Sequence, residues 1–205
     1  MGLAEFQTAL ARLYTDRSYR QLLQNDEQAF ADSAQVSKED IAQLRSMADE
    51  IEEFARSLIA KRLGEVRKRL PLSSRVLSVP DFSSAFQRYA DAERSAADRG
   101  GNGTSPVGDM HRQDAITFVE SLERCGLQQP KAPAWTIDLL RYESAWLQMA
   151  DSGRRFLLNR FRFPMSRLTQ ALAAGATTSS IPARSSLGLW WRYRHDGRVR
   201  HLCWE

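Results

Sequence analysis

The chain has 205 residues, of which 42% are apolar, with a mean hydropathy of −0.48 and a net charge of +4. That length carries one large domain or two small ones with a real core, and no apolar run approaches the roughly 18–20 residues of a membrane span. The charge is uneven: from Arg154 onward ten arginines face only Asp196 and Glu205, about +8 against about −4 for the preceding part, which suggests an anionic partner.

In chain order, MGLAEFQTALARLY reads as an amphipathic helix, with Leu3, Phe6, Leu10 and Leu13 at helical spacing. It lacks the basic start, apolar middle and small-residue cleavage site of a secretory signal. Gly2 is followed by no Ser or Thr at the myristoylation position, so no lipid anchor is expected. A second short helix follows Asp16 and carries Tyr19, Leu22 and Leu23. SKEDIAQL opens the next, with Ser37 and Asp40 set as a capping box. In IEEFARSLIAKRLGEVRKRLP, Ile51, Phe54, Leu58, Val66 and Leu70 form a stripe, and Pro71 ends the helix. Acidic residues near its start and Arg67, Lys68 and Arg69 near its end suit the helix dipole.

DFSSAFQRYADAE reads as a further helix and RSAADRGGNGTSPVGDM as a mobile loop. HRQDAITFVESLERCG returns to helix, with Gly126 as its stop. PAWTIDLLRYESAWLQMA is the last long helix, with Pro133 in its first turn. The period then changes. RRFLLNRFRFP alternates, with Leu157, Phe161 and Phe163 on one side and Arg160 and Arg162 on the other. Residues 169–186 read as a small-residue loop, and SLGLWWRYRHDGRVRHLCWE as a hairpin. A two-residue Asp196-Gly197 turn pairs Tyr193 with Arg200, Trp191 with Leu202 and Leu189 with Trp204. That face reads as core, and the opposite face, with Trp190, Arg192, Arg194, Val199, His201 and Cys203, as cationic surface. The expected fold class is α+β: a mainly helical N-terminal body (1–90), a flexible loop (91–110), and helices plus a small C-terminal antiparallel β-sheet (111–205).

Cys125 and Cys203 fall outside any CxxC spacing, and free thiols in a cytoplasmic protein are the expectation. His111, His195 and His201 show no metal-ligand spacing. There is no HExxH, GxGxxG, Walker loop or GxSxG. RYE at 141–143 offers one inward carboxylate, Glu143, read first as a structural ion-pair partner of Arg141 or of a neighbouring helix. The hairpin is the feature that asks for a ligand. An exposed strand edge accepts an extended peptide, and flanking arginines favour an acidic one. The competing reading is a winged-helix nucleic-acid binder. Its recognition helix would be rich in Arg, Lys, Asn or Gln, whereas WTIDLLRYESAWLQMA has one arginine and two acids.

LYTDRSYRQLLQNDEQAFADSAQVSKEDIAQL, FARSLIAKRLGEVRKRLP, F-x-x-YA, HRQDAITFVESL, RYESAWL and the SLGLWWRYRHDGRVRHL hairpin, in that order, resemble a family of small partner proteins. These accompany multinuclear non-heme iron-dependent oxidative enzymes, the TIM-barrel MNIOs that modify ribosomally made peptides. The resemblance covers nearly the whole chain, and SLIxKRxxEVxxxLP with the hairpin is its strongest piece. A looser match is to the partner in the thiaglutamate pathway, where the enzyme excises a carbon from a C-terminal cysteine, or in one of several similar pathways. The resemblance implies a heterodimer. The partner captures the leader of the precursor peptide and presents the core to the iron enzyme. This chain would then be non-catalytic and hold no cofactor, the iron being on the enzyme. On the hairpin's geometry, Trp190, Arg192, Arg194, Arg160 and Arg162 are the expected peptide contacts. The basic helix with Arg62, Arg67 and Arg69 becomes the expected docking face against the enzyme.

Overall fold

Local signals set most helix boundaries. In the computed structural model, Asp16 accepts from Tyr19 N–H and Asp26 from Ala29 N–H, which starts α2 (Arg17–Asn25) and α3 (Glu27–Ala34) directly after α1 (Leu3–Thr15). Gln35, in the left-handed region at φ 54°, stops α3. Ser37 and Asp40 form the expected capping box at the head of α4 (Lys38–Ser46). The long α5 (Ala48–Arg69) ends ahead of Pro71, as expected. The structure describes residues 3–97, 107–127, 132–150, 153–176, 178, 181–194 and 197–205, with side chains at all of these except 93–97 and 107–109.

The remaining elements are α6 (Ser73–Val76), α7 (Val79–Ala97), α8 (Val107–Cys125), α9 (Thr136–Met149), β1 (Phe156–Phe161), α10 (Met165–Ala173), β2 (Ser186–Trp191) and β3 (Arg200–Trp204). The fold is α+β, mainly helical with a small antiparallel sheet near the C-terminus. Three details differ from the sequence reading. Helix occupies both flanks of the expected 91–110 loop, because Ala96 and Ala97 extend α7 and α8 starts at Val107; residues 98–106 lie outside the described ones. Residues 169–173 are helical, since Leu168 turns into the core and draws its turn with it. Pro133 precedes α9, and its carbonyl accepts from Thr136 N–H and Oγ1.

The chain forms two compact units, Met1–Arg62 with Gln87–Gly103, and Leu63–Phe86 with Thr104–Glu205. The division falls within α5 and α7 rather than at residue 90. In the first unit, Leu13, Tyr19, Leu23, Phe30, Ile41 and Leu44 build the core. The buried Arg20 is fixed by Glu52 Oε2 at 2.6 Å and the Leu13 carbonyl at 2.9 Å. In the second unit, Leu139, Met149, Phe161, Met165, Leu168 and Trp190 pack α9, α10 and the sheet together. Phe118 of α8 also packs there against Phe82 and Phe86, each at 5.4 Å. No helix among the described residues is long and apolar enough to cross a membrane.

Candidate peptide-binding surface

The sheet runs β1-β2-β3, all antiparallel. Two buried side chains pin its ends to the helices. Asp138 of α9 accepts from the N–H groups of Arg162 (2.6 Å) and Phe163 (3.2 Å), which stops β1. Ser186 Oγ donates to the Phe163 carbonyl at 2.6 Å and accepts from Met165 N–H, which starts β2 beside the end of β1.

The β2–β3 register differs from the expected one by two residues: Leu189 faces Leu202, Trp190 faces His201 and Trp191 faces Arg200. Gly197 N–H donates to the Arg194 carbonyl at 3.0 Å, closing the hairpin one residue earlier than an Asp196-Gly197 turn. Gly then takes the fourth position of the turn, where it is favoured. His195 and Asp196 lie outside the described residues. A two-residue shift keeps the side-chain alternation, so the two expected sets of side chains survive.

Their roles are exchanged. The set with Trp190 packs inward, and the set read as core faces outward. Trp190 is 0% exposed, and its ring lies against Tyr142 and Trp146 of α9, Phe161 of β1 and His201 of β3. Gly188 and Ser186 make this possible. A Cβ on Gly188 would sit 2.7 Å from two Trp190 ring carbons, so only glycine admits the indole there. Counting apolar residues favours the wrong face, because a large ring seated over a small residue packs better than several mid-sized side chains. Burial holds the half-buried His201 imidazole below its ordinary range and pushes the Cys203 thiol up.

The outer face has three cross-strand rows. The first is Phe156, Trp191 and Arg200; the second is Leu158, Leu189 and Leu202; the third is Arg160, Leu187 and Trp204. Phe156 is 72% exposed, Leu158 54% and Trp204 48%. Arg160 and Arg200 stand at opposite corners, and the Arg200 guanidinium lies 5.2 Å from the Tyr193 ring. Sequence reasoning missed this surface. Its signal is that FLL and SLGLWW carry apolar residues on both sides of the strand, one side more than a half-covered sheet needs.

Both outer strands present open edges among the described residues. Arg192 N–H donates to the Arg155 carbonyl at 2.9 Å. The antiparallel alternation therefore turns the backbone groups of Phe156, Leu158 and Arg160 away from β2, and on β3 those of His201 and Cys203. One edge acceptor is taken: Arg141 Nη1 donates to the Arg160 carbonyl at 3.0 Å.

The expected peptide contacts are thus divided. Trp190 and Arg192 are buried, a correction that follows from the exchange of faces. Arg160, Arg162 and Arg194 are exposed, but only Arg160 lies on the outer face. Of the expected enzyme-facing residues, Arg62 lies in the first unit and Arg67 and Arg69 in the second, all half-buried. Glu143 is buried, but it forms no ion pair with Arg141. Its carboxylate accepts from Leu72 N–H at 2.7 Å and Ser73 N–H at 2.9 Å, and burial pushes its pKa up. Arg141 pairs instead with Glu123 at 3.1 Å and Asp138 at 3.5 Å. Among the described residues, no group of three or more His, Cys, Asp or Glu is placed to hold a metal ion. No protein-family model matches the chain, and no curated protein matches it.

Proposed function

We propose that this chain is a non-catalytic partner subunit. It binds the leader of a ribosomally made precursor peptide and presents it to an MNIO-type iron enzyme for oxidative modification. The carrying observation is the small sheet with outward backbone donors and acceptors on β1 and β3, set in the most cationic part of the chain. An extended peptide added to either edge gains backbone hydrogen bonds whatever its sequence, while Arg160 on β1 or Arg200 on β3 favours acidic residues beside it. The β3 edge is the better candidate, because Arg141 already occupies the Arg160 carbonyl on β1. The chain supplies no cofactor in this reading; the iron and the oxygen chemistry belong to the enzyme.

The test is co-purification with a TIM-barrel iron enzyme encoded beside this chain, followed by titration of the fluorescent precursor peptide. Strand addition uses alternate backbone N–H groups. Methylating one alternate set in the leader should therefore weaken binding at least ten-fold, and methylating the other set should not. Cys203→Pro and Leu158→Pro each remove an outward N–H while leaving the β2 ladder bonds in place. Loss with one and not the other identifies the edge. If duplex DNA binds with a steep salt dependence and the peptide does not, the hairpin is a nucleic-acid wing and the reading falls.

A further inference from the structure

The outer face of the sheet is a second surface, separate from the edges, and it has its own chemistry. Seven of its nine side chains are apolar, and the other two are Arg160 and Arg200. No acidic residue lies on it. Sheets buried on one side normally turn polar residues to the other, so an apolar outer face indicates a covering element. The usual cover for a sheet face is a helix. Three strands at about 4.8 Å spacing and three rows are spanned by a helix of roughly three turns. Laid along the diagonal from Phe156 to Trp204, such a helix has Arg200 on one flank and Arg160 on the other.

That arrangement selects the occupant. A second copy docked face to face would bring two more arginines and no carboxylate, leaving four guanidinium groups against an apolar interface without counter-charge. We propose that the outer sheet face docks an amphipathic helix of a partner protein whose apolar stripe is flanked on both sides by carboxylates. The stripe covers Leu158, Leu189 and Leu202, and the carboxylates pair with Arg160 and Arg200. The proposal uses side chains of the face rather than backbone of the edge, so it stands whether or not a leader peptide adds to the sheet.

The test uses the full chain and three fluorescein-labelled 18-residue peptides: a leucine stripe flanked by glutamates, the same stripe flanked by lysines, and a scrambled glutamate version. The glutamate helix should bind at least ten-fold more tightly than either of the others. Leu189→Glu and Leu202→Glu should each weaken it at least ten-fold. The milder Leu158→Ala should weaken it about three-fold, with its thermal melting confirming that the fold is kept. Arg160→Glu with Arg200→Glu should reverse the preference toward the lysine helix, whereas Arg75→Glu, exposed on α6, should leave it unchanged. Equal binding of the glutamate and lysine helices overturns the proposal, as does binding that ignores the face variants. Sedimentation showing a dimer that Leu202→Glu dissociates would make a second copy the occupant. Duplex DNA bound at low salt and lost in Arg160→Glu with Arg200→Glu, with no helix bound, would make the occupant nucleic acid.

Discussion

Glu143 shows how one buried side chain can look catalytic and serve architecture. Its two oxygens satisfy the N–H groups of Leu72 and Ser73 at the start of α6. Glu143→Ala leaves both donors unmet, one of them buried, and should cost about 2–4 kcal/mol in urea unfolding. Glu143→Gln keeps an acceptor and should cost less. Gly188→Ala places a methyl 2.7 Å from two Trp190 ring carbons and 3.0 Å from Phe161 Cε2. The ring must move, and stability should fall by roughly 1–3 kcal/mol. His201 gives a pH signature. Burial lowers its pKa in the folded state, so the native protein binds fewer protons than the unfolded chain. Its contribution is present above the unfolded value of about 6.5 and is lost as pH falls below that toward the folded value. Urea midpoints at pH 7.5 and 5.5 should therefore separate for the native sequence, and the separation should shrink in His201→Phe, which keeps the ring contacts with Trp190, Tyr142 and Trp146.

Among the elements, those set by local chemistry were legible in the sequence. The Ser37–Asp40 box fixes the start of α4 with contacts three residues apart. Ser37→Ala should cost about 1 kcal/mol in thermal or urea melts. Asp16 begins α2 as an N-cap, its carboxylate accepting from Tyr19 N–H. The β1 alternation was equally readable, with Leu157 and Phe161 inward and Arg160 outward. The hairpin register was not. A DG dipeptide and an N–H bond from Gly197 to Arg194 are both good local turns, and the choice between them rests on how β2 meets β1 and α9. The 169–173 stretch of α10 was hidden for a related reason. Its small residues signal a loop, while Met165 and Leu168 anchor a helix only because a core lies beneath them.

At the scale of the molecule, the candidate site was half legible. The concentration of arginine and aromatic residues near the C-terminus marked the sheet as the place of interest, and the structure puts an open-edged sheet there. The particular residues were another matter. Trp190 and Arg192 drew attention as the aromatic and cationic pair, yet both are buried, and the exposed surface consists of Phe156, Leu158, Leu202 and Trp204. Peptide binding at the β3 edge should persist in Leu202→Glu and fail in Cys203→Pro, while helix docking on the face should fail in Leu202→Glu and persist in Cys203→Pro. A titration of each variant with both ligands separates the two sites.

The helical body, its caps and breaks, the alternation of the strands and the uneven charge follow from residue order alone. All of these depend on neighbours within a few residues or on composition. Which side of the sheet faces inward follows instead from packing between elements distant in the chain. Both sides carry enough apolar surface to be core, so periodicity cannot choose between them. The choice was made by shape: Gly188 leaves room for one indole ring, α9 supplies the aromatic wall that closes over it, and the more numerous apolar side chains are left outside.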